Sequence, residues 1–246
     1  MRKMTESTFA VSPIGIIHSC FKEKFGIPRQ PGLATAARAT LEILAPYDRD
    51  EAFRGIEVFS HLWIIFVFHG IAGGQWRPTV RPPRLGGNRR SGVFATRSGF
   101  RPNRIGISVV ALDGLDRRKG KFFLELSGID LLDQTPVLDV KPYLPYADSI
   151  PHATGGFAAD PPGRPLSLAF SEPARRACAE VEKTHPGFYE LVIQVLGADP
   201  RPAYLDDSGR AEFGMRLYDF NVRWSVRRGR ILVQAIEKYI SDAAHE

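Results

Sequence analysis

Cysteine is almost missing: Cys20 and Cys178 are the two in 246 residues, too few for a disulfide framework or a Cys-rich zinc or iron–sulfur site. A reducing, intracellular compartment is the expectation. Long apolar runs are missing too. Val58 to Trp76 carries no Asp, Glu, Lys or Arg, yet its unbroken apolar core, Leu62 to Phe68, is seven residues, flanked by His61 and His69 and followed by Gly70, Gly73 and Gly74. A membrane helix needs about 20, so this reads as a buried strand ending in a turn and no membrane is expected. Met1 to Phe9 has Arg2 and Lys3 but not the apolar stretch of a secretory signal, which points to the cytoplasm. No G-x-G-x-x-G, no G-x-x-x-x-G-K-[ST] and no H-E-x-x-H or paired Cys-x-x-Cys occurs, leaving a Rossmann dinucleotide site, a P-loop and a sequence-visible zinc site unsupported. Apolar residues make up 43% of the chain, enough for one large core, or for a main domain with a smaller appendage; disordered and fibrous classes are out.

Charge is present in quantity and unevenly placed. The formal net charge is +6. Between Arg77 and Arg104 stand eight arginines (Arg77, Arg81, Arg84, Arg89, Arg90, Arg97, Arg101, Arg104) with no lysine and no carboxylate, so removing them leaves the remainder at −2. Pro78, Pro82, Pro83, Pro102, Gly86, Gly87, Gly92 and Gly99 fall in the same stretch, which predicts extended loops around a short strand near Gly92 to Arg97. Arginine forks match phosphate and carboxylate and stack on bases, and Trp76, Phe94 and Phe100 interleave with them. A solvated positive surface is the bland alternative; the complete lack of opposing carboxylates favours an anion-binding loop.

Along the chain, Val11 to Cys20 reads as a first strand, Phe25 to Gly32 as a loop because of Pro28 and Pro31, and Ala39 to Leu44 as a second strand before the turn Ala45-Pro46-Tyr47-Asp48. Asp50 to Gly55 suits a helical turn. In an extended Val58 to His69, alternation places His61, Trp63, Ile65, Val67 and His69 on one face and Leu62, Ile64, Phe66 and Phe68 on the other. With both faces apolar, the strand should be buried on two sides, as in a closed barrel, a sandwich or a covered sheet. Ile105 to Leu112 and Lys121 to Leu126 continue the strand character, so the expected first domain, 8–150, is all-β. Prolines and glycines between residues 142 and 165 mark a linker-like region, with the domain boundary near residues 150 to 165. A small C-terminal α/β domain, 165–240, follows, with helices at Glu172 to Lys183 and Phe188 to Leu196 and strands at Phe213 to Val226 and Ile231 to Ile236.

Two groups of side chains invite chemistry. Asp130, Asp133 and Asp139, followed by Lys141, Tyr143 and Tyr146, could bind a metal, hold ribose hydroxyls or supply a general base; the competing reading is Asx-turn chemistry that shapes a loop. His61 and His69 lie on one face, and His69, where the strand meets the Gly-rich turn, has the stronger claim to function.

Several longer stretches resemble one family. Pro28-Arg29-Gln30-Pro31-Gly32, Phe59-Ser60-His61-Leu62-Trp63, Phe66-Val67-Phe68-His69, Trp76-Arg77-Pro78-Thr79-Val80-Arg81-Pro82-Pro83, Gly92-Val93-Phe94-Ala95-Thr96-Arg97-Ser98 and Asp139-Val140-Lys141-Pro142-Tyr143 look like the TrmO (TsaA-like, YaeB) family. Asp199-Pro200-Arg201-Pro202-Ala203-Tyr204 and Asp219-Phe220-Asn221-Val222-Arg223-Trp224 extend the resemblance into the appendage; Ser149 to about Glu190 lies outside it. The resemblance implies an S-adenosylmethionine-dependent tRNA methyltransferase acting on N6 of the threonylcarbamoyl-adenosine next to the anticodon, built on a single-sheeted β-barrel and working as a homodimer. It implies cofactor contacts from Pro28, Arg29, Gln30, Phe68, His69, Arg97, Leu126 and the loop Asp133, Gln134, Thr135, Pro136. Candidates at the reacting centre are Asp133, His69 and Tyr143. Arg77, Arg81, Arg84, Arg89, Arg90, Arg101, Arg104 and Lys141 are the expected RNA contacts, and no metal is expected. Two positions depart from the family pattern: Gln134 stands where Asp-Gly-Thr-Pro has glycine, and Arg104 stands where a proline is usual. The rival functions are an RNA-binding module without chemistry and a metal-dependent hydrolase using the aspartates.

Overall fold

A computed structural model describes residues 8–71, 75–160, 166–201, 212–227 and 229–240. The first part contributes β1 (Gly15–Ser19), β2 (Arg38–Ile43), β3 (His61–Val67), the two-residue β4 (Thr79–Val80) and β5 (Ser91–Gly92), β6 (Ile105–Arg118), β7 (Lys121–Ser127) and β8 (Pro136–Pro142), then one helical turn, α1 (Pro145–Asp148). Six strands, in the order β1-β2-β7-β6-β3-β8, close into a barrel, and every pairing in it is antiparallel.

Alternation sends one side chain in two to the interior. Ile17, Leu41, Ile43, Leu62, Ile64, Phe66, Leu124, Leu126 and Val137 fill it. Gly106 lies opposite Phe66 in the β3–β6 register, and a Cβ there would collide with the Phe66 ring. Glycine on β6 is therefore what lets this phenylalanine turn inward.

The barrel corrects the two-sided burial expected of β3. Leu62, Ile64 and Phe66 are buried, but Trp63, Ile65 and Val67 are only half-buried and His61 is exposed. A closed six-stranded barrel has one inside; the other face of every strand looks outward. No strand was expected at residues 136–142, which hold Asp139. They form β8, which pairs with both β1 and β3 and so closes the barrel. Its prolines occupy the two ends, the positions a strand tolerates.

The C-terminal part holds β9 (Ser167–Phe170), α2 (Glu172–Glu182), α3 (Phe188–Gly197), β10 (Phe213–Leu217), β11 (Phe220–Arg227) and β12 (Arg230–Lys238). The sheet runs β10-β11-β12-β9, with β9 parallel to β12 and the other pairs antiparallel. Ser171 caps α2 by accepting a hydrogen bond from the Ala174 N–H, with Pro173 in the first turn. The expected single strand Phe213 to Val226 is a hairpin broken at Tyr218 and Asp219, and the short β9 was not foreseen; a four-residue strand carries too little periodicity to read.

The two parts share one buried core, running from Ile17 and Phe21 to Leu217 and Trp224. Phe21 bridges Leu217, Tyr218 N–H donates to the Cys20 carbonyl at 2.7 Å, and Arg216 N–H donates to Glu23 at 2.9 Å. The Asp219-to-Trp224 motif belongs to this packing. Cys20 and Cys178 are both buried and unpaired; burial pushes their thiols up to about 12 and about 11, which makes them inert fillers of the core.

Candidate active site

Four loops, far apart in the chain, converge beside the barrel. They are the Pro-rich loop around Pro28 to Gln30, the end of β3 at Phe68 to Ile71, the stretch Thr96 to Arg101 and the segment Asp130 to Thr135. Between them lies a cleft of about 610 Å³, within the usual range for small-molecule sites. The Pro-rich loop is docked by a bond from Gly32 N–H to the Gly128 carbonyl at 2.8 Å. Gly99 packs so tightly that a Cβ would come within 2.5 Å of Ile71 and 2.6 Å of the Phe68 ring.

The segment after β7 is wired to β1. Gln134 N–H donates to the Ile17 carbonyl at 2.8 Å, Ile17 N–H to Thr135 at 2.9 Å and Asp133 N–H to Phe21 at 2.8 Å. Thr135, which is buried, donates its hydroxyl to the Leu132 carbonyl at 2.6 Å. Gln134 adopts φ 63°, the left-handed conformation for which glycine is best suited. The loop thus keeps a glycine-like path even though a side chain stands there.

Polarity inside the cleft is concentrated. Arg97 donates to Gln30 Oε1 at 2.5 Å, and Lys24, Arg29 and Arg101 also line the walls. Asp130 is the single carboxylate lining the cleft among the described residues. It accepts a 2.6 Å hydrogen bond from the hydroxyl of Ser108, which is 2% exposed. Burial pushes the Asp130 carboxyl up to about 6, against the opposing pull of Ser108, its own backbone N–H and the Arg97 charge. Aromatic and aliphatic walls (Phe66, Phe68, Ile71, Leu132) together with arginine forks suit an amphiphilic ligand that carries a carboxylate and a flat ring.

The cleft opens onto a second, larger groove of about 1750 Å³. Arg29, Gln30, Thr96, Arg97 and Phe100 belong to both. The arginine-rich stretch forms one wall: β4 and β5 pair Thr79 with Gly92 and Val80 with Ser91, and Gly92 to Arg97 is mainly a 3₁₀ turn at Val93–Ala95 rather than the expected strand. Arg77, Arg81, Arg84 and Arg90 line the groove with Phe94, whose ring is 70% exposed. Phe157, Ala158, Asp199 and Arg201 line it as well.

A family model described as the tRNA-methyltransferase O N-terminal domain matches residues 16–149, and one described as the TrmO C-terminal domain matches residues 163–239. The chain belongs to the TrmO family. The Escherichia coli (strain K12) relative, a tRNA (adenine(37)-N6)-methyltransferase, is 48% identical over 233 residues, 94% of this chain and 99% of its own length. A Pseudomonas aeruginosa relative described as the putative S-adenosylmethionine-dependent methyltransferase RcsF is 52% identical over 223 residues, covering 90% and 94%. The crystal structure of TrmO from Pseudomonas aeruginosa aligns at a TM-score of 0.78 and 45% identity, covering 94% of this chain and 98% of that one.

Of the residues expected from the TrmO motifs, Pro28, Arg29, Gln30, Phe68, His69, Arg97 and Thr135 line the cleft together. Others do not reach it. Leu126 is buried in the barrel interior. Asp133 gives one carboxylate oxygen to Ser19 N–H at 2.8 Å and the other to Lys22 at 2.9 Å, which ties it to β1, and it does not line the cleft. Gln134 and Pro136 flank Thr135 and shape its turn. Tyr143 follows the far end of β8, packed edge-on against His61 and tilted on Trp63. Seven residues of β3 separate that end from His69, on the order of 20 Å of strand. Lys141 is at the same far end, paired with Asp139 at 2.7 Å.

Two of the TrmO-loop arginines are likewise committed. Arg101 donates to the Val93 and Thr96 carbonyls and Arg104 to Ile71 at 3.0 Å; both brace the loop, Arg101 from the wall of the cleft, neither lines the larger groove, and Arg89 is exposed outside the groove lining. The aspartate cluster is dispersed: Asp130 bonds Ser108, Asp133 bonds Ser19 and Lys22, and Asp139 bonds Lys141. Among the described residues no group of three or more His, Cys, Asp or Glu could hold a metal. Pro202, Ala203 and Tyr204, named in the C-terminal motif, lie outside the described residues. Ser108 escaped the sequence reading, although its inward parity with Gly106 and Val110 is a legible signal for a polar group inside the barrel.

Proposed function

We propose that this chain transfers a methyl group from S-adenosylmethionine to the N6 nitrogen of an adenosine in tRNA, the threonylcarbamoyl-adenosine next to the anticodon. The observation that carries this reading is the continuity of the two cavities: a small-molecule cleft opens directly onto an arginine-lined groove through shared Arg29, Gln30, Arg97 and Phe100. The E. coli relative's name points to the same chemistry. Pro28, Arg29, Gln30, Phe68, His69 and Arg97 would hold the cofactor, whose contribution when bound is an electrophilic methyl on a sulfonium. Arg97 and Arg29 suit its carboxylate, and the Gly99 contact with Phe68 sets the width of the slot. Leu126 and the segment Asp133 to Pro136 support that slot from behind.

On the RNA side, Arg77, Arg81, Arg84 and Arg90 suit phosphates and exposed Phe94 suits a splayed base. The enzyme's main task is then alignment, holding the nucleophilic nitrogen against the methyl carbon. We take 8–150 as the methyl-transfer domain and 165–240 as the appendage. A homodimer fits the outward barrel face, where Ile105 and Ile107 are 45% and 50% exposed beside half-buried Val67 and Ile65 in register; Val67, Ile105 and Ile107 also line the cleft, so a second copy burying this apolar patch would border the cofactor slot. Among the described residues no helix is long and apolar enough to cross a membrane, and a nucleotide-derived methyl donor and tRNA as partners suit the cytoplasm.

The test is nucleoside mass spectrometry of tRNA incubated with the purified protein and S-adenosylmethionine, with and without the threonylcarbamoyl group. A gain of one methyl on the modified nucleoside alone supports the whole reading. Methylation of both tRNAs would remove the threonylcarbamoyl requirement, and no gain on either would leave an RNA-binding module.

A further inference from the structure

We propose that Asp130, held by Ser108 in the wall of the cleft that Arg97 and His69 also line, accepts the N6 proton during methyl transfer. This rests on the function proposed above. The nitrogen to be methylated carries a hydrogen and sits beside a carbonyl, so its lone pair is delocalised and it is a poor nucleophile until that proton leaves. As the lone pair forms the bond to the methyl carbon, the carbon–sulfur bond breaks with its electron pair staying on sulfur, and the proton passes to Asp130. The two products are a neutral thioether and the N6-methylated nucleoside; the proton is afterwards lost to solvent.

Three observations select this residue. It is the one carboxylate lining the cleft among the described residues, in walls that also hold Lys24, Arg29, Arg97 and Arg101, and the Arg97 charge acts on it directly. Its orientation is fixed: buried Ser108 donates to Oδ1 at 2.6 Å, and Oδ2 has no side-chain partner among the described residues, so one oxygen is positioned and the other is available. An oriented base beside the reacting group is the recurring arrangement in proton-transfer sites. Finally, burial leaves this carboxylate more basic than an ordinary one while ionised at neutral pH. The alternatives lack one of these properties. Asp133 has both oxygens engaged. His69 is exposed at the lip of the cleft, and its nearest side-chain partner, Thr135, stands at 3.4 Å, too far to orient the ring.

The experiment compares wild type, Asp130→Asn, Asp130→Glu and Ser108→Ala in single-turnover methylation of threonylcarbamoylated tRNA across pH 5 to 9, alongside calorimetric affinity for S-adenosylhomocysteine and for the tRNA. The expected result for Asp130→Asn is a fall in kcat on the order of 100-fold or more, both affinities within about threefold of wild type, and loss of the rise in log kcat that wild type shows through about pH 6. Asp130→Glu should recover part of the rate. Ser108→Ala, which removes a hydrogen bond that favours the carboxylate, should move that rise to higher pH and keep a measurable plateau. The proposal is overturned if Asp130→Asn keeps its kcat within about threefold, if its pH profile matches wild type, or if cofactor affinity falls in step with rate, the mark of a binding carboxylate. Should Asp130→Asn not fold, an unmoved profile in Ser108→Ala overturns it equally. Absence of methyl transfer by the wild type in the same assay counts against the function itself, so the two failures are separable.

Discussion

The cleft and the groove meet at Arg97 and are built by opposite means. The cleft is made of largely buried, mutually bonded parts: Thr135 on Leu132, Asp130 on Ser108, and Phe68 against Gly99. The groove is made of exposed cations on a proline- and glycine-rich stretch, where Arg81 and Arg84 make no hydrogen bond or ion pair with the described residues. A tightly packed wall positions small groups to within fractions of an ångström, whereas long solvated side chains adapt to a polyanion and contribute through charge. The difference teaches where each kind of mutation should be felt: in the cleft as stability and rate, in the groove as salt-sensitive affinity.

The largest separation should come from replacing Arg81, Arg84 and Arg90 with glutamine together. The affinity for tRNA is expected to fall on the order of 100-fold near physiological salt, with the slope of log K against log salt reduced by about 2 to 3, while the melting temperature and the affinity for S-adenosylhomocysteine stay put. A drop in melting temperature would break the contrast. Gly99→Ala should do the reverse. Its new methyl must displace Phe68 or Ile71, costing about 1–3 kcal/mol of stability and weakening cofactor binding, with RNA affinity and its salt slope unchanged.

Asp130→Asn sharpens the comparison through pH. Folding raises this carboxyl from 3.8 to about 6, so the protonated form is the one the fold prefers; that contribution is complete below about pH 4 and is lost as pH rises through about 6. The asparagine variant, neutral throughout, should therefore be more stable than wild type at pH 8, by about 3 kcal/mol, and no different from it at pH 4. No stabilisation at pH 8 would mean the cleft does not strain this carboxylate. The smallest effect is expected at Gln134, held at φ 63°: Gln134→Gly relieves left-handed strain but adds freedom to the unfolded chain, for a net gain of roughly 0.5–1 kcal/mol, readable in a denaturant titration. A loss would show that the Gln134 side chain, 3.3 Å from His18, matters more than the backbone.

Much of this was legible in advance. The strand at Leu62 to Phe68, the arginine stretch and the family motifs follow from local patterning, and Pro28, Arg29, Gln30, Phe68, His69 and Arg97 do meet in one cleft. Legibility failed where long-range pairing decides. Asp133 and Asp130 are three residues apart and chemically identical, yet one is spent on Ser19 and Lys22 and the other faces the cleft. Tyr143 sits in a recognisable motif but at the wrong end of β8. Arg101 and Arg104 count toward the same basic run as Arg81 and Arg84, but they brace carbonyls within the loop.

The amino-acid sequence by itself determined the barrel strands near Gly15–Ser19, Arg38–Ile43, His61–Val67, Ile105–Arg118 and Lys121–Ser127, the sign and place of the charge, and the family. These depend on neighbours a few residues away. The tertiary structure alone decided which carboxylate is left with a free oxygen, which arginines remain unpaired, and that the small-molecule cleft and the arginine groove share a wall. Those depend on how a closed barrel brings residues 28–30, 68–71, 96–101 and 130–135 to one mouth, an arrangement set by strand order and register, which no local pattern in the chain records.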